Sequence, residues 1–286
     1  MISIKRWIVA VLCVTLAHAA FAAGPNQVRQ RAEGSMLVTG WIDVSPDGSV
    51  HGYSLDQSDK IPAAVTDLIQ KNVPDWKFKL DGNPNVIERA RMSVRLVARR
   101  VDDTHDSIAI VGATFGDSNT ASGQSVTHKS MQPPKYPLSA VQAHVDGTVY
   151  LYLRVGRQGQ VEDAVAERVN LGVYGSDIQM RRYRDILADA ALEAAKQWTF
   201  NIPTNGKHID DPYWDVRVPV NFNLKVAGSP RVDTYGKWQV YIPGPQQSIP
   251  WLKSGLQTVP TSDAIPEGSI SQVSQDLHLL TPLEGA

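Results

Sequence analysis

Two stretches of this chain, residues 38–98 and 149–224, run through the same order of events, and that order confines the fold more than any other feature. The first opens with Val38-Thr39-Gly40-Trp41-Ile42-Asp43-Val44, which alternates as a half-buried strand does. Ser45-Pro46-Asp47-Gly48 reads as a tight turn, because proline presets one dihedral and Asp-Gly tolerates the left-handed region. Residues 50–55 return as a second strand. Pro62 stands where a helix starts, Val65, Leu68, Ile69 and Val73 give that helix one apolar face, and Pro74 stops it. Trp76-Lys77-Phe78 follows. A last strand then sets Ala90, Met92, Val94, Leu96 and Ala98 on one face and Arg89, Arg91, Arg95 and Arg99 on the other.

The second stretch repeats the plan. Val149, Leu151, Leu153 and Val155 share a strand face, Arg157-Gln158-Gly159-Gln160 turns, and Val161 begins the return. Residues 183–197 read as an Ala-rich helix with Leu187, Ala191, Ala194 and Trp198 on one side. Trp198-Thr199-Phe200 matches Trp76-Lys77-Phe78. The last strand puts Trp214, Val216, Val218, Val220, Phe222 and Leu224 on one face and Asp215, Arg217, Asn221 and Asn223 on the other. Val94-Arg95 and Val216-Arg217 lie at the same distance from the matching tryptophans.

Short, cleanly alternating strands suit antiparallel sheets with one face covered by helix. The sequence therefore predicts an α+β protein of two tandem small domains, residues 35–115 and 133–225, each a three-stranded antiparallel sheet with a helix on one face. Residues 116–132 read as a Gly/Ser/Asn/Thr-rich linker, and the apolar run 108–111 is a candidate extra strand. After Lys225, Gly, Pro, Ser, Thr and Gln dominate, so 226–286 reads as a mostly irregular tail. Trp238, Tyr241 and Trp251 are the residues able to dock it.

The first 22 residues read as an export signal. Lys5 and Arg6 precede the apolar run 7–17, and Ala20-Phe21-Ala22 is a small-x-small cleavage signal, so the mature chain is expected to begin at Ala23. As a retained anchor, residues 7–23 would make about 26 Å of helix at ~1.5 Å per residue, short of a hydrocarbon core of ~30 Å. No other run is apolar enough to span. Cys13, the only cysteine, leaves with the signal. The mature chain then lacks disulfides, thiol nucleophiles and cysteine metal ligands. Removing residues 1–22 leaves 26 basic against 29 acidic residues, which gives no reason to expect a nucleic-acid or anionic-membrane partner.

The second stretch resembles the C-terminal domain of TonB-type energy transducers. Pro134-Lys135-Tyr136-Pro137 with Ala140 is similar to the family's opening Pro-x-Tyr-Pro and short helix. Asp146-Gly147-Thr148-Val149, Gly159-x-Val161, the Ala-Ala-Leu run at 190–192 ending in Trp198-Thr199-Phe200, and Val218-Pro219-Val220-Asn221-Phe222 follow in the family's order. The first stretch keeps only the hairpin, the Trp-x-Phe and the last strand, as a degenerate copy would. The resemblance implies recognition of an envelope or outer-membrane protein segment by strand addition. It points to the strand carrying Tyr213, Trp214, Val216, Arg217, Val218, Pro219 and Val220. Proline lacks an N–H and is tolerated mainly on edge strands, so Pro219 favours an exposed edge there. The chain departs from a full transducer in its cleavable leader and in residues 23–36, which hold one proline and are too short to cross the periplasm.

Other readings fare less well. Asp43-x-Ser45-x-Asp47-Gly48 starts like a calcium loop, but its twelfth position is Ser54, not Glu. Residues 102–106 (Asp-Asp-Thr-His-Asp) read as a solvated turn rather than a metal or acid/base cluster. His51, His128, His144, His208 and His278 lack ligand spacing. If that strand is regular, Arg89, Arg91, Arg95 and Arg99 form a basic stripe, which reads first as a solvated face, the alternative being contact with an acidic protein, lipopolysaccharide or peptidoglycan. No nucleophile elbow, phosphate loop or dinucleotide fingerprint appears, so a non-enzymatic, cofactor-free and metal-free protein is expected. The alternatives are a self-associating envelope module pairing its edges across a homodimer, and a full transducer if the leader stays as an anchor.

Overall fold

The computed structural model describes residues 23–81, 85–102, 104–117, 123–224, 233–252, 263–273 and 277–283. The expected export signal lies outside the described residues. The chain is α+β and rich in sheet. In order come α1 (Pro25–Arg29), β1 (Glu33–Val44), β2 (Val50–Leu55), α2 (Ala63–Asn72), β3 (Phe78–Leu80), β4 (Glu88–Arg100), β5 (Asp106–Asp117) and β6 (Thr127–Ser130). Then follow α3 (Leu138–Gln142), β7 (Gly147–Gly156), β8 (Val161–Leu171), α4 (Asp177–Ala195), β9 (Thr199–Asn201) and β10 (Tyr213–Phe222). Three short strands close the described chain: β11 (Gln239–Tyr241), β12 (Ser271–Gln272) and β13 (Leu277–Leu279).

The strands form two main antiparallel sheets. The first runs β2-β1-β4-β5, with β11 sharing the outer edge of β1 with β2; the second runs β8-β7-β10-β12. At the heart of each is the same arrangement: a hairpin whose first strand pairs with the strand that follows the helix. The expectation of three strands per sheet is corrected, because β5, β11 and β12 extend the sheets. The candidate strand at 108–111 is the middle of the 12-residue β5, and the linker region contains β6, which pairs with β9.

Each sheet covers its own core. In the first, Met36, Val38, Ile42 and Val44 of β1 and Ala90, Met92, Val94 and Leu96 of β4 meet Val65, Leu68 and Ile69 of α2. In the second, the apolar faces of β7 and β10 meet Met180, Leu187, Ala191 and Ala195 of α4. Period-two alternation supplies the strand faces and a 3.6 period the helix faces. The helix α4 begins six residues earlier than its Ala-rich stretch suggests, because Ser176 and Gln179 form a capping box.

The two corners are built alike. Gly48 and Gly159 both sit at φ +80°, and the amides of Phe78 and Phe200 donate to their carbonyls at 2.8 and 2.7 Å. A Cβ on either glycine would stand 2.1 or 2.2 Å from the phenylalanine carbonyl oxygen, so each turn needs glycine for both its dihedral and its space. The tryptophan two residues before each phenylalanine is buried.

The tail departs from expectation. Its described parts thread between the sheets, with β11 on β1, an Ile242 bridge to Leu171 of β8, β12 on β10 and β13 on β3. Asp263 is 4% exposed and pairs with Arg168 of β8 at 3.1 Å, while its carbonyl accepts from Arg95 of β4 at 3.1 Å. The carbonyl of Ala264 accepts from Thr114 of β5. This strap ties the outer faces of the two sheets together.

Candidate functional site

The strand β10 is paired along its whole length with β7, from Tyr213 opposite Gly156 to Phe222 opposite Gly147. On its other side the amide of Val273 donates to the carbonyl of Asp215 at 2.9 Å. In an antiparallel ladder a residue's N–H and C=O point the same way, and neighbours alternate. The odd-numbered residues of β10 therefore turn their backbone groups away from β7. Pro219 is one of them. Its missing N–H falls on the outer edge, where no bond to β7 is lost, and this is the physical reason a proline is tolerated inside the strand.

The outer edge is not bare. Two residues of β12 pair with it, Gln272 opposite Val216 and Ser271 opposite Arg217. Among the described residues no strand pairs with the edge beyond Arg217, yet Val218, Pro219, Val220 and Phe222 are buried and only Asn221 is exposed there. Part of the edge expected to be exposed is thus met by the chain's own tail, at Asp215, Val216 and Arg217. Beside β12 lies a cavity of about 690 Å³ bordered by Ser93, Phe115, Val126, Ile265, Ile270 and Gln272.

Side chains of the predicted site divide sharply. Trp214, Val216, Val218 and Val220 face the core and turn their backbone groups to β7, so they offer a partner neither a side chain nor a backbone hydrogen bond. Trp214 is 1% exposed, and its indole N–H donates to the carbonyl of His208 at 2.9 Å, which makes it core rather than a surface anchor. Tyr213 is exposed, with the Arg154 guanidinium 3.8 Å above its ring. Arg217 is buried and bidentate to Glu167 of β8, at 2.8 and 3.1 Å, and lies over the Tyr152 ring. Glu167 also accepts from Gln246 of the tail at 2.7 Å. The Tyr152 hydroxyl donates to Asp215, and burial pushes its phenol up. Burial likewise raises Asp215, which Arg154 opposes. This is a fixed polar layer whose charges are matched.

The basic stripe on β4 is corrected too. Arg91 is bidentate to Asp56, Arg99 donates to Glu33 at 2.7 Å, Arg95 reaches the buried Asp263, and Arg89 lies 3.7 Å from Asp43. Arg89 and Arg91 also lie over the Trp41 ring. Acidic residues on the neighbouring strand, turn and tail thus neutralise a row that looked uncompensated along the strand alone. Asp56 is held below the usual carboxylate range by Arg91.

The acidic cluster at 102–106 sits at the β4–β5 connection. The Asp102 carboxylate accepts from the Thr104 amide and hydroxyl and from the His105 amide, which holds it down at about 2. Asp103 lies outside the described residues. No group of three or more potential metal ligands is found among the described residues. No helix among them is long and apolar enough to cross a membrane.

Two curated relatives are similar to this chain. Each is named Protein TonB, from Xanthomonas campestris pv. campestris strain B100 and strain ATCC 33913. Both are 37% identical to it over 108 residues, which is 37% of this chain. The chain spans 42% of the length of these relatives. The similarity supports a TonB-like domain in this chain. No family model and no solved structure matches it.

Proposed function

We propose that this chain is an exported, non-enzymatic TonB-like module that binds an extended segment of an outer-membrane receptor or another envelope protein. The site is the outer edge of β10, and binding is by strand addition linked to TonB-dependent transport. One observation carries the reading: the edge of β10 is closed by a two-residue strand from the chain's own tail, and the rest of that edge has no ladder partner among the described residues. A guest strand replaces β12, takes the backbone groups of Asp215 and Arg217, and extends past Pro219 to Asn221. The cavity beside β12 gives its side chains room. The first sheet is a degenerate copy of the same domain, and the protein works in the periplasm after cleavage behind Ala22.

The test is calorimetric titration of the exported chain with peptides from receptor N-terminal segments, beside Ser271→Pro and Val273→Pro. Each proline removes a backbone donor of the tail; Val273 donates to Asp215, and Ser271 stands opposite Arg217. A lost hydrogen bond is worth about 0.5–1.5 kcal/mol, so each variant should bind up to about tenfold more tightly than the parent. Absence of binding by parent and variants alike would sink the reading.

A further inference from the structure

Residues 23–32 precede β1 of the first sheet in sequence but pack on the second. Val28 is fully buried in the core beneath α4, with Ala23 and Ala32 against the same cluster. At the tip of this strap the backbone of Ala23 is doubly held. Its N–H donates to Oδ2 of Asp177 at 2.9 Å, and its carbonyl accepts from the Asp177 amide at 2.9 Å. Asp177 is the first residue of α4, where an amide has no partner within the helix, so Ala23 supplies one. Arg31 donates to the other carboxylate oxygen, Oδ1. Ala23 is also the residue that Ala20-Phe21-Ala22 marks as the first of the mature chain.

We propose that Ala23 and Asp177 form a processing-dependent locking site: hydrolysis of the Ala22–Ala23 amide turns the Ala23 nitrogen into an ammonium that ion-pairs with the Asp177 carboxylate. The inference rests on the export reading above. In the hydrolysis water adds to the Ala22 carbonyl and the C–N bond breaks. Ala22 leaves as a carboxylate, and the Ala23 amine takes up a proton. The contact at 2.9 Å, charge-assisted before cleavage only through its carboxylate acceptor, thereby becomes an ion pair between two full charges on an acceptor already in place. Arg31, Arg181 and Arg184 are the other charges around the carboxylate. The Arg31 contact and the Ala23 amide already hold Asp177 below the usual carboxylate range. Before cleavage the strap has its hydrogen bonds but no such pair, so processing tightens the docking of residues 23–32 on the second sheet.

Two measurements separate this from the export reading. N-terminal sequencing of protein from the periplasmic fraction tests the cut, and a first residue other than Ala23 overturns it. For the lock, the chain is released from a fusion so that it begins at Ala23, and its α-amino group is titrated by NMR. The ammonium should titrate above the ordinary α-amino range of about 7.7–8.0 and return to that range in Asp177→Asn. A raised folded value means the stabilisation is fully present below the unfolded value and disappears as pH rises through the folded one. A matched chain with acetylated Ala23 should therefore melt lower at pH 6–7 and equally at high pH. An ordinary titration with Asp177 intact, or equal melting of the free and acetylated chains at pH 6–7, contradicts the lock wherever cleavage occurs.

Discussion

The strands β4 and β10 hold the same place in their sheets, each paired on one side to the first strand of a hairpin, but their outer edges are closed differently. The edge of β4 is laddered to β5 from Ala90 opposite Asp117 to Arg100 opposite Asp106. Among the described residues the edge of β10 is laddered only to Ser271 and Gln272, with one further bond from Val273. A long local hairpin strand is tied by many bonds and a short connection, whereas β12 arrives from a distant tail through few. One scaffold thus has its edge sealed along the sheet, and the other has part of it paired with a two-residue strand of the tail. An unsealed edge is a liability that proteins ordinarily cover, and covering it lightly leaves it usable.

The largest expected effect separates the matched arginines of these strands. Arg217→Ala strands the buried Glu167 without its guanidinium, a loss of about 3–5 kcal/mol. In Arg95→Ala the Asp263 carboxylate keeps Arg168 at 3.1 Å, so a smaller loss of about 1–3 kcal/mol is expected. Urea denaturation of both variants measures this, and equal losses would break the distinction. Gly48→Ala and Gly159→Ala should each lose at least about 1–2 kcal/mol from the left-handed dihedral alone, and by similar amounts. A large loss at only one corner in thermal melts would contradict the shared construction.

The smallest effect concerns the turn that seals β4. The folded value of Asp102, about 2, lies below its ordinary one, so its contribution is present above about 3.9 and is lost as pH falls toward 2. Asp102→Asn should flatten stability over that window, as read by amide exchange in the β4–β5 hairpin. Exchange in β10 should not respond.

Much of the scaffold was legible because its signals are local. Alternation in residues 38–44, 149–155 and 214–222 reports which face turns to the helix-covered core, and Trp-x-Phe marks both corners. The start of α4 was equally local, in Ser176 and Gln179, and reading that capping box would have found it. The tail strands were not legible. Two or three residues carry no period, and β12 is a strand only because β10 offers it a ladder. The same holds for the charges. Asp263 stands 168 positions from Arg95, and Glu167 stands 50 from Arg217, so these arginines are neutralised by residues that no spacing connects to them. Pro219 marked the outward-turned side of β10, and the tail strand paired on that side at Val216 and Arg217 came only with the fold.

The central claim is that a guest strand replaces β12 on β10, and an amide-resolved titration tests it directly. The chain from Ala23 onward, uniformly labelled, is titrated with a receptor-segment peptide while backbone resonances are followed. The account predicts shifts at Arg217 and Asn221 of β10, movement of Ser271, Gln272 and Val273 toward free-chain positions, and quiet resonances across β2 and α2. Binding that leaves residues 271–273 paired and 213–222 unmoved would contradict it.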